Sequence, residues 1–119
     1  MPNEVMKKLD FSGRVKVVSN NEDIIFHRIQ MKSGEERTQL IFTGLFEVKL
    51  WMPRRSELLR GTCKVWDLTE QAASQIKKDI SLIGQGTVID ELFVCDDGAK
   101  RRRPTLYLSN LGLDLRHQN

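Results

Sequence analysis

A chain of 119 residues is long enough for one folded domain but too short for a second core, so we expect a single domain over residues 1–119. With 39% hydrophobic and 29% charged residues, the composition is that of a globular protein and excludes an intrinsically disordered chain. No apolar run approaches the roughly 20 residues that cross a bilayer, and the N-terminus lacks the apolar centre of a signal peptide. We therefore expect no membrane contact, and a location in the cytoplasm or in the compartment of the host genome.

The first half of the chain predicts β-strands, because apolar and polar residues alternate along it. Residues 1–8 are expected to form a loose arm. Gly44 interrupts the longest strand and suggests a bulge or a bend, as long strands in small barrels require. Pro53 opens a basic loop over residues 52–60. The predicted strands of this half cover residues 9–18, 24–31, 38–51 and 61–66.

Residues 67–86 predict one helix. Asp67 and Glu70 fit a capping box, in which each side chain accepts an otherwise unpaired amide at the helix start. Gly84 and Gly86 supply the stop, since glycine tolerates the left-handed conformation that closes many helices. Apolar residues three or four positions apart form one stripe on this helix: Ala73, Ile76, Ile80 and Ile83.

The last part of the chain predicts a hairpin. Residues 87–95 and 105–115 have the composition of strands, and residues 96–104 form an exposed turn between them. In total the sequence predicts five or six strands and one late helix. The expected fold class is therefore mainly β.

Basic residues are concentrated at two places, and their position says more than the mild net charge of +3. Four consecutive cations follow Asp97-Gly98, a good hairpin-turn pair, and could track a phosphate backbone. The simpler alternative is a solvated tip that discourages aggregation. Four in a row exceed what solubility needs, so we favour anion binding. The run is Lys100, Arg101, Arg102 and Arg103, and the looser second group is Arg54, Arg55 and Arg60.

Three aromatic residues are candidates for stacking on bases, although most aromatics in a small barrel belong to its core. Trp51 alternates with apolar neighbours on its strand and precedes two arginines, so exposure and burial are both open for it. Trp66 shares a strand parity with Lys64, but it also lies beside the predicted helix start and could pack there. Tyr107 shares a parity with Thr105 and Ser109, which allows exposure near the basic run.

No catalytic or metal site is expected. His27 and His117 have no Ser, Cys or paired carboxylate at a catalytic spacing, and Asp90 and Glu91 fall on opposite faces of a strand. Two His and two Cys at unrelated spacings do not make a metal-ligand set. We predict that the protein is not an enzyme and uses no metal or cofactor.

The order of these parts resembles the bacterial-type single-stranded DNA-binding protein family. The resemblance rests on F-S-G-R-V at 11–15, the short helix A-S-Q-I at 73–76, the glycine-containing turn at 82–86, the D-G hairpin rich in arginine at 97–103 and the strand at 105–115. It implies an OB-fold, which is a five-stranded Greek-key barrel that carries stacked bases on an open face between basic loops. It also implies self-association as a homodimer or homotetramer. The family's glycine- and proline-rich acidic C-terminal tail is absent from this sequence.

Our hypothesis is a non-catalytic protein that binds single-stranded DNA during replication, recombination or DNA transfer, with RNA left open as the polynucleotide. The alternative is a β-barrel interaction subunit of an oligomeric complex, whose basic hairpin docks an acidic partner. The two differ in whether the exposed aromatics and the basic clusters share one face. The candidate nucleic-acid-binding residues are Trp51, Arg54, Arg55, Trp66, Lys100, Arg101, Arg102, Arg103 and Tyr107.

Overall fold

The computed structural model of the chain describes residues 5–51 and 54–113. Six strands and one short helix make up these residues, with a single 3-10 turn at Asn21–Asp23. The strands are β1 (Val5–Val17), β2 (Ile25–Gln30), β3 (Glu36–Trp51), β4 (Arg54–Trp66), β5 (Ser81–Val94) and β6 (Lys100–Leu113), and the helix α1 (Glu70–Ser74) lies between β4 and β5.

Five of the strands close into a barrel in the order β1–β5–β6–β4–β3–β1. Closure depends on a short antiparallel pairing between β1 and β3, in which Val15 lies opposite Phe46 and Val17 opposite Gly44. β4 and β6 pair in parallel, and the other neighbours pair antiparallel. This is the Greek-key barrel of an OB-fold, so the predicted fold class is confirmed. β2 is an additional strand that forms a hairpin with β3.

The core lies inside the barrel, where alternate residues of each strand meet. Phe42 and Phe46 of β3 are almost fully buried, and the rings of Phe11 and Phe46 pack edge to face at 5.9 Å. Gly44 lies between those two β3 residues, and a Cβ there would be 2.8 Å from both Cys63 Sγ and Val15 Cγ1. The β3–β4 register runs uninterrupted through Gly44. The glycine therefore permits the close approach of β1; of the predicted bulge or bend, the bulge in the β3–β4 pairing is absent.

The predicted helix is much shorter than the sequence pattern indicated. α1 begins after Thr69, whose side chain accepts the Ala72 amide at 3.1 Å, so the predicted cap at Asp67 is wrong. The stretch predicted as its second half enters β5, because pairing with both β1 and β6 satisfies that backbone. Gly86 lies at a bulge in this pairing, where a Cβ would be 1.9 Å from the Tyr107 carbonyl oxygen. It is thus required by strand packing and not by a helix end.

Several strands are also longer than the sequence pattern predicted. β1 begins at Val5, opposite Leu92, so residues 5–8 are paired and are not part of a loose arm; residues 1–4 lie outside the described chain. Residues 54–60 of the predicted basic loop and residues 100–104 of the predicted turn belong to β4 and β6. The β5–β6 turn itself is tight, with the Cys95 and Ala99 backbones hydrogen-bonded across it. The two basic groups therefore lie on strands, where alternation decides which way each side chain points.

Candidate nucleic-acid interface

The outward surface of β4 and β6 is a continuous face that carries both aromatic and basic residues. The parallel pairing brings Lys64 of β4 beside Tyr107 of β6. Cys63 and Leu106, which alternate with them, are completely buried. Lys64, Trp66 and Tyr107 therefore point away from the core on neighbouring strands.

Trp66 is half-buried at the end of β4, and one face of its ring is covered. The Arg37 guanidinium lies 4.7 Å from the centre of the indole. The same guanidinium donates to both carboxylate oxygens of Asp67, at 3.1 Å from Nε and 2.6 Å from Nη2. These hydrogen bonds hold the pKa of Asp67 below its usual value and raise the pKa of Arg37. The Arg37–Asp67 pair thus covers one face of Trp66, and the residue also lines a surface groove.

Tyr107 is 36% exposed, and its ring has Lys64 Nζ 5.8 Å from its centre. Together with Trp66 it lines an open groove of about 640 Å³ that extends over β5 and β1. The sequence predictions that allowed exposure of Trp66 and Tyr107 are consistent with these positions.

Arg102 of the basic run forms ion pairs within the protein. Arg102 lies on the same side of β6 as the buried residues Pro104 and Leu106. Its side chain therefore points inward at one end of the barrel. Its guanidinium pairs with Asp90 at 2.5 Å and also with Glu57, and these hydrogen bonds raise its pKa. Asp90 is only 9% exposed, so its charge needs such a partner. Arg102 therefore links β4, β5 and β6.

The remaining cations of the run are exposed. Arg101 and Arg103 have the parity of Tyr107 and lie on the same outward face of β6. Arg103 and Tyr107 are four positions apart along the strand, which is about 13 Å. Lys100 is exposed at the start of β6, next to the turn.

The second basic group divides in the same way. Arg54 and Arg60 share the outward parity of Lys64 and Trp66 on β4 and are exposed. Arg55 has the opposite parity and lies 3.9 Å from the Glu57 carboxylate. Trp51 ends β3 opposite Arg54, and its side chain lies outside the described part of the structure. The prediction that it stacks on bases therefore stays a prediction.

Besides Arg60, which was noted only as part of the second basic group, two residues of this site were missed from the candidate residues. Lys64 could have been found, because its parity with Trp66 is visible in the sequence. Arg37 could not, because it reaches Trp66 only through the pairing of Gln39 with Trp66 across β3 and β4. Arg37 and Trp66 are far apart along the chain, and no local pattern links them.

The described residues offer little that is typical of catalysis. Within residues 5–51 and 54–113, no three His, Cys, Asp or Glu side chains are grouped to hold a metal ion. Burial raises the pKa of the Cys63 thiol to about 12, which keeps it protonated and unreactive at neutral pH. No helix in the described chain has the length and hydropathy needed to cross a membrane.

The chain resembles solved structures in its fold, but comparisons of its sequence give no match. No protein-family model matches the chain, and no curated protein matches its sequence. Among solved structures, the mitochondrial single-stranded DNA-binding protein Rim1 of S. cerevisiae is 14% identical with a TM-score of 0.47, over 92% of this chain and 96% of that one. A small single-stranded DNA-binding protein of Streptomyces coelicolor is 15% identical with a TM-score of 0.43, over 98% of both chains. Since these identities and TM-scores are low, the function has to be inferred from the surface of this chain itself.

Proposed function

We propose that this protein binds single-stranded nucleic acid, with DNA as the expected polynucleotide, and catalyses no reaction. One observation carries the proposal: the half-buried Trp66, the exposed Tyr107 and the outward cations lie on the same face of β4 and β6. Scattered cations on a merely soluble barrel would not be expected to share one face with exposed rings. The residues of this face are Arg54, Arg60, Lys64 and Trp66 on β4 and Arg101, Arg103 and Tyr107 on β6.

Binding would combine two effects. Bases stack on Trp66 and Tyr107, and each such contact contributes about 1–3 kcal/mol as judged by alanine substitution in other proteins. The cations neutralise phosphates and release counterions, so the affinity falls as salt rises. Both effects tolerate any base, which gives weak sequence preference. Trp51, Arg55 and Lys100 remain candidates for further contacts at the ends of this face, whereas Arg102 would act by holding the three strands together.

The proposed role is to protect or present a single strand during replication, recombination or DNA transfer, in the compartment of the genome concerned. Self-association as a homodimer or homotetramer belongs to the same proposal. Self-association would extend the binding face, because each copy of the protein would contact the same nucleic-acid strand with its own aromatic rings and cations.

One feature favours the alternative of a protein-interaction subunit. Leu58 shares the outward parity of Arg54 and Arg60 on β4 and is 66% exposed. Ile25 on β2 is 50% exposed. Exposed apolar side chains within a charged surface are also found where proteins bind one another, and an acidic partner would fit these cations.

Tryptophan fluorescence separates the two functions. We expect poly(dT) to quench the emission at low salt, and the quenching to weaken at moderate salt. The single variants Trp51→Phe and Trp66→Phe assign the signal to one indole or both. A folded protein whose emission does not change at low salt would refute nucleic-acid binding and leave the interaction subunit. Competition with poly(rU) and with duplex DNA tests the preference for single-stranded DNA.

A further inference from the structure

The groove between Trp66 and Tyr107 has a different charge from the face beside it. Two carboxylates, Asp10 and Asp67, lie in its lining, whereas Arg37 in the same lining is paired with Asp67. The other polar residues that line it are uncharged: Ser12, Gln85, Thr87 and Ser109. Such a groove repels a phosphate, so a bound strand would place something other than its backbone there.

Four side chains form a row across the strands at this groove. Asp10 of β1 lies opposite Thr87 of β5, Thr87 opposite Tyr107 of β6, and Tyr107 beside Lys64 of β4. Because neighbouring strands are about 4.8 Å apart, the Asp10 and Tyr107 backbones are separated by roughly 10 Å, with the small threonine between them. The row thus consists, in order, of a carboxylate, a small side chain, an aromatic ring and a cation.

Asp10 is the acceptor in this row that is best placed for a ligand. Its side chain is exposed and points outward, since the neighbouring Phe11 is buried. Both oxygens of Asp67 already accept from Arg37, and the Gln85 backbone carbonyl accepts from Ser109 Oγ at 3.2 Å. An ionised carboxylate accepts hydrogen bonds and donates none.

We propose that this groove takes one unpaired base of the bound strand and prefers a base with an exocyclic amino group, such as cytosine. The base stacks on Tyr107 above Thr87 and donates its amino group to Asp10, and the adjoining phosphate lies at Lys64. Cytosine presents an amino donor where uracil and thymine present a carbonyl oxygen, which the carboxylate would repel. This inference rests on the proposed function and adds a base preference to it.

The test compares two pyrimidine oligonucleotides that share a backbone. Oligo(dC) and oligo(dU) of about eight residues lie within the site size of one OB-fold, and binding is measured by fluorescence at slightly alkaline pH, where cytosine is uncharged. We expect oligo(dC) to bind about fivefold or more tightly than oligo(dU), the lower end of the discrimination that one good base contact supplies.

Substitution of Asp10 assigns the preference to this groove. Asp10→Asn can donate as well as accept, so the dC/dU affinity ratio should fall to within about twofold, and Asp10→Ala should do the same because it has no acceptor. Asp23→Asn in the exposed Asn21–Asp23 turn makes the same change in charge and should leave the ratio unaltered. Circular dichroism checks that each variant is folded.

The outcomes separate this inference from the function on which it rests. Equal binding of the two oligonucleotides by the wild-type protein, or an unchanged ratio in both Asp10 variants, would overturn the base preference and leave single-strand binding intact. If neither oligonucleotide bound at low salt, single-strand binding itself would fall, and the base preference with it.

Discussion

The Arg37 guanidinium covers one face of Trp66 at 4.7 Å while both of its hydrogen-bonded donors are held by Asp67. A cation above an indole is attracted by the negative face of the ring. Asp67 stands at a φ of +64°, a backbone conformation that only a few residue types besides glycine accept readily. The arrangement fixes the indole at the edge of the groove, where a base would stack on its other face.

The position of Trp66 should respond to acid through Asp67. The hydrogen bonds from Arg37 lower the pKa of Asp67 in the folded state, so their stabilising effect is present above the ordinary carboxyl pKa and is lost as the pH falls through the lowered value. In a Trp51→Phe background we expect the Trp66 emission to shift on acidification in a transition whose midpoint lies below pH 3.8, the unperturbed value.

Asp67→Asn is the matched control, because asparagine also accepts a positive φ. This variant should show no such acid shift, provided that circular dichroism shows the fold to be intact. A transition centred at or above the ordinary aspartate pKa would contradict the Arg37–Asp67 interaction.

Removing Arg102 should destabilise the barrel. Arg102→Met leaves Asp90 buried at the barrel end without its cation. Breaking a fully buried pair costs about 3–5 kcal/mol, but the Arg102 side chain is 46% exposed, so we expect roughly 1–3 kcal/mol of lost unfolding free energy. Urea unfolding measures the change. Adding Asp90→Asn should recover part of the loss, and a single variant as stable as the wild type would contradict the linking role.

Salt dependence should distinguish the cations of the basic run. If Arg101 contacts a phosphate, Arg101→Gln reduces the slope of log affinity against log salt by about 0.7, the value for one phosphate of a single strand. Arg102→Gln should leave the slope unchanged, because its guanidinium is engaged with Glu57 and Asp90. Equal changes in slope for the two variants would show that the direction in which a β6 side chain points does not decide whether it contacts a phosphate.

Gly44 should be intolerant of even the smallest side chain. A Cβ at this position would lie 2.8 Å from Cys63 Sγ and from Val15 Cγ1, so Gly44→Ala overpacks the seam that closes the barrel. We expect a loss of about 1–3 kcal/mol, as for other overpacked cores. Gly112→Ala is the control, since its Cβ would make only an ordinary contact at 4.0 Å, with Ile83. Equal thermal midpoints for the two variants would disprove the packing role of Gly44.

Local chemistry explains why much of the fold could be predicted. Alternation of apolar and polar residues has a period of two, which is a property of each strand by itself. It indicated the mainly β class, and the Asp97-Gly98 pair indicated the last hairpin. The helix was overestimated because its apolar spacing continued into residues whose backbone finds partners in β1 and β6 instead.

The sequence alone therefore indicated the mainly β class, the basic groups and the aromatic residues worth testing. Only the tertiary structure decided which of them meet. Parallel pairing of β4 with β6 brings Lys64 to Tyr107, and pairing of β3 with β4 brings Arg37 to Trp66. Pairing of β6 with β5 and β4 brings Arg102 to Asp90 and Glu57, so its guanidinium is engaged within the protein. These contacts join residues that are distant along the chain, and no local pattern encodes the register that brings them together.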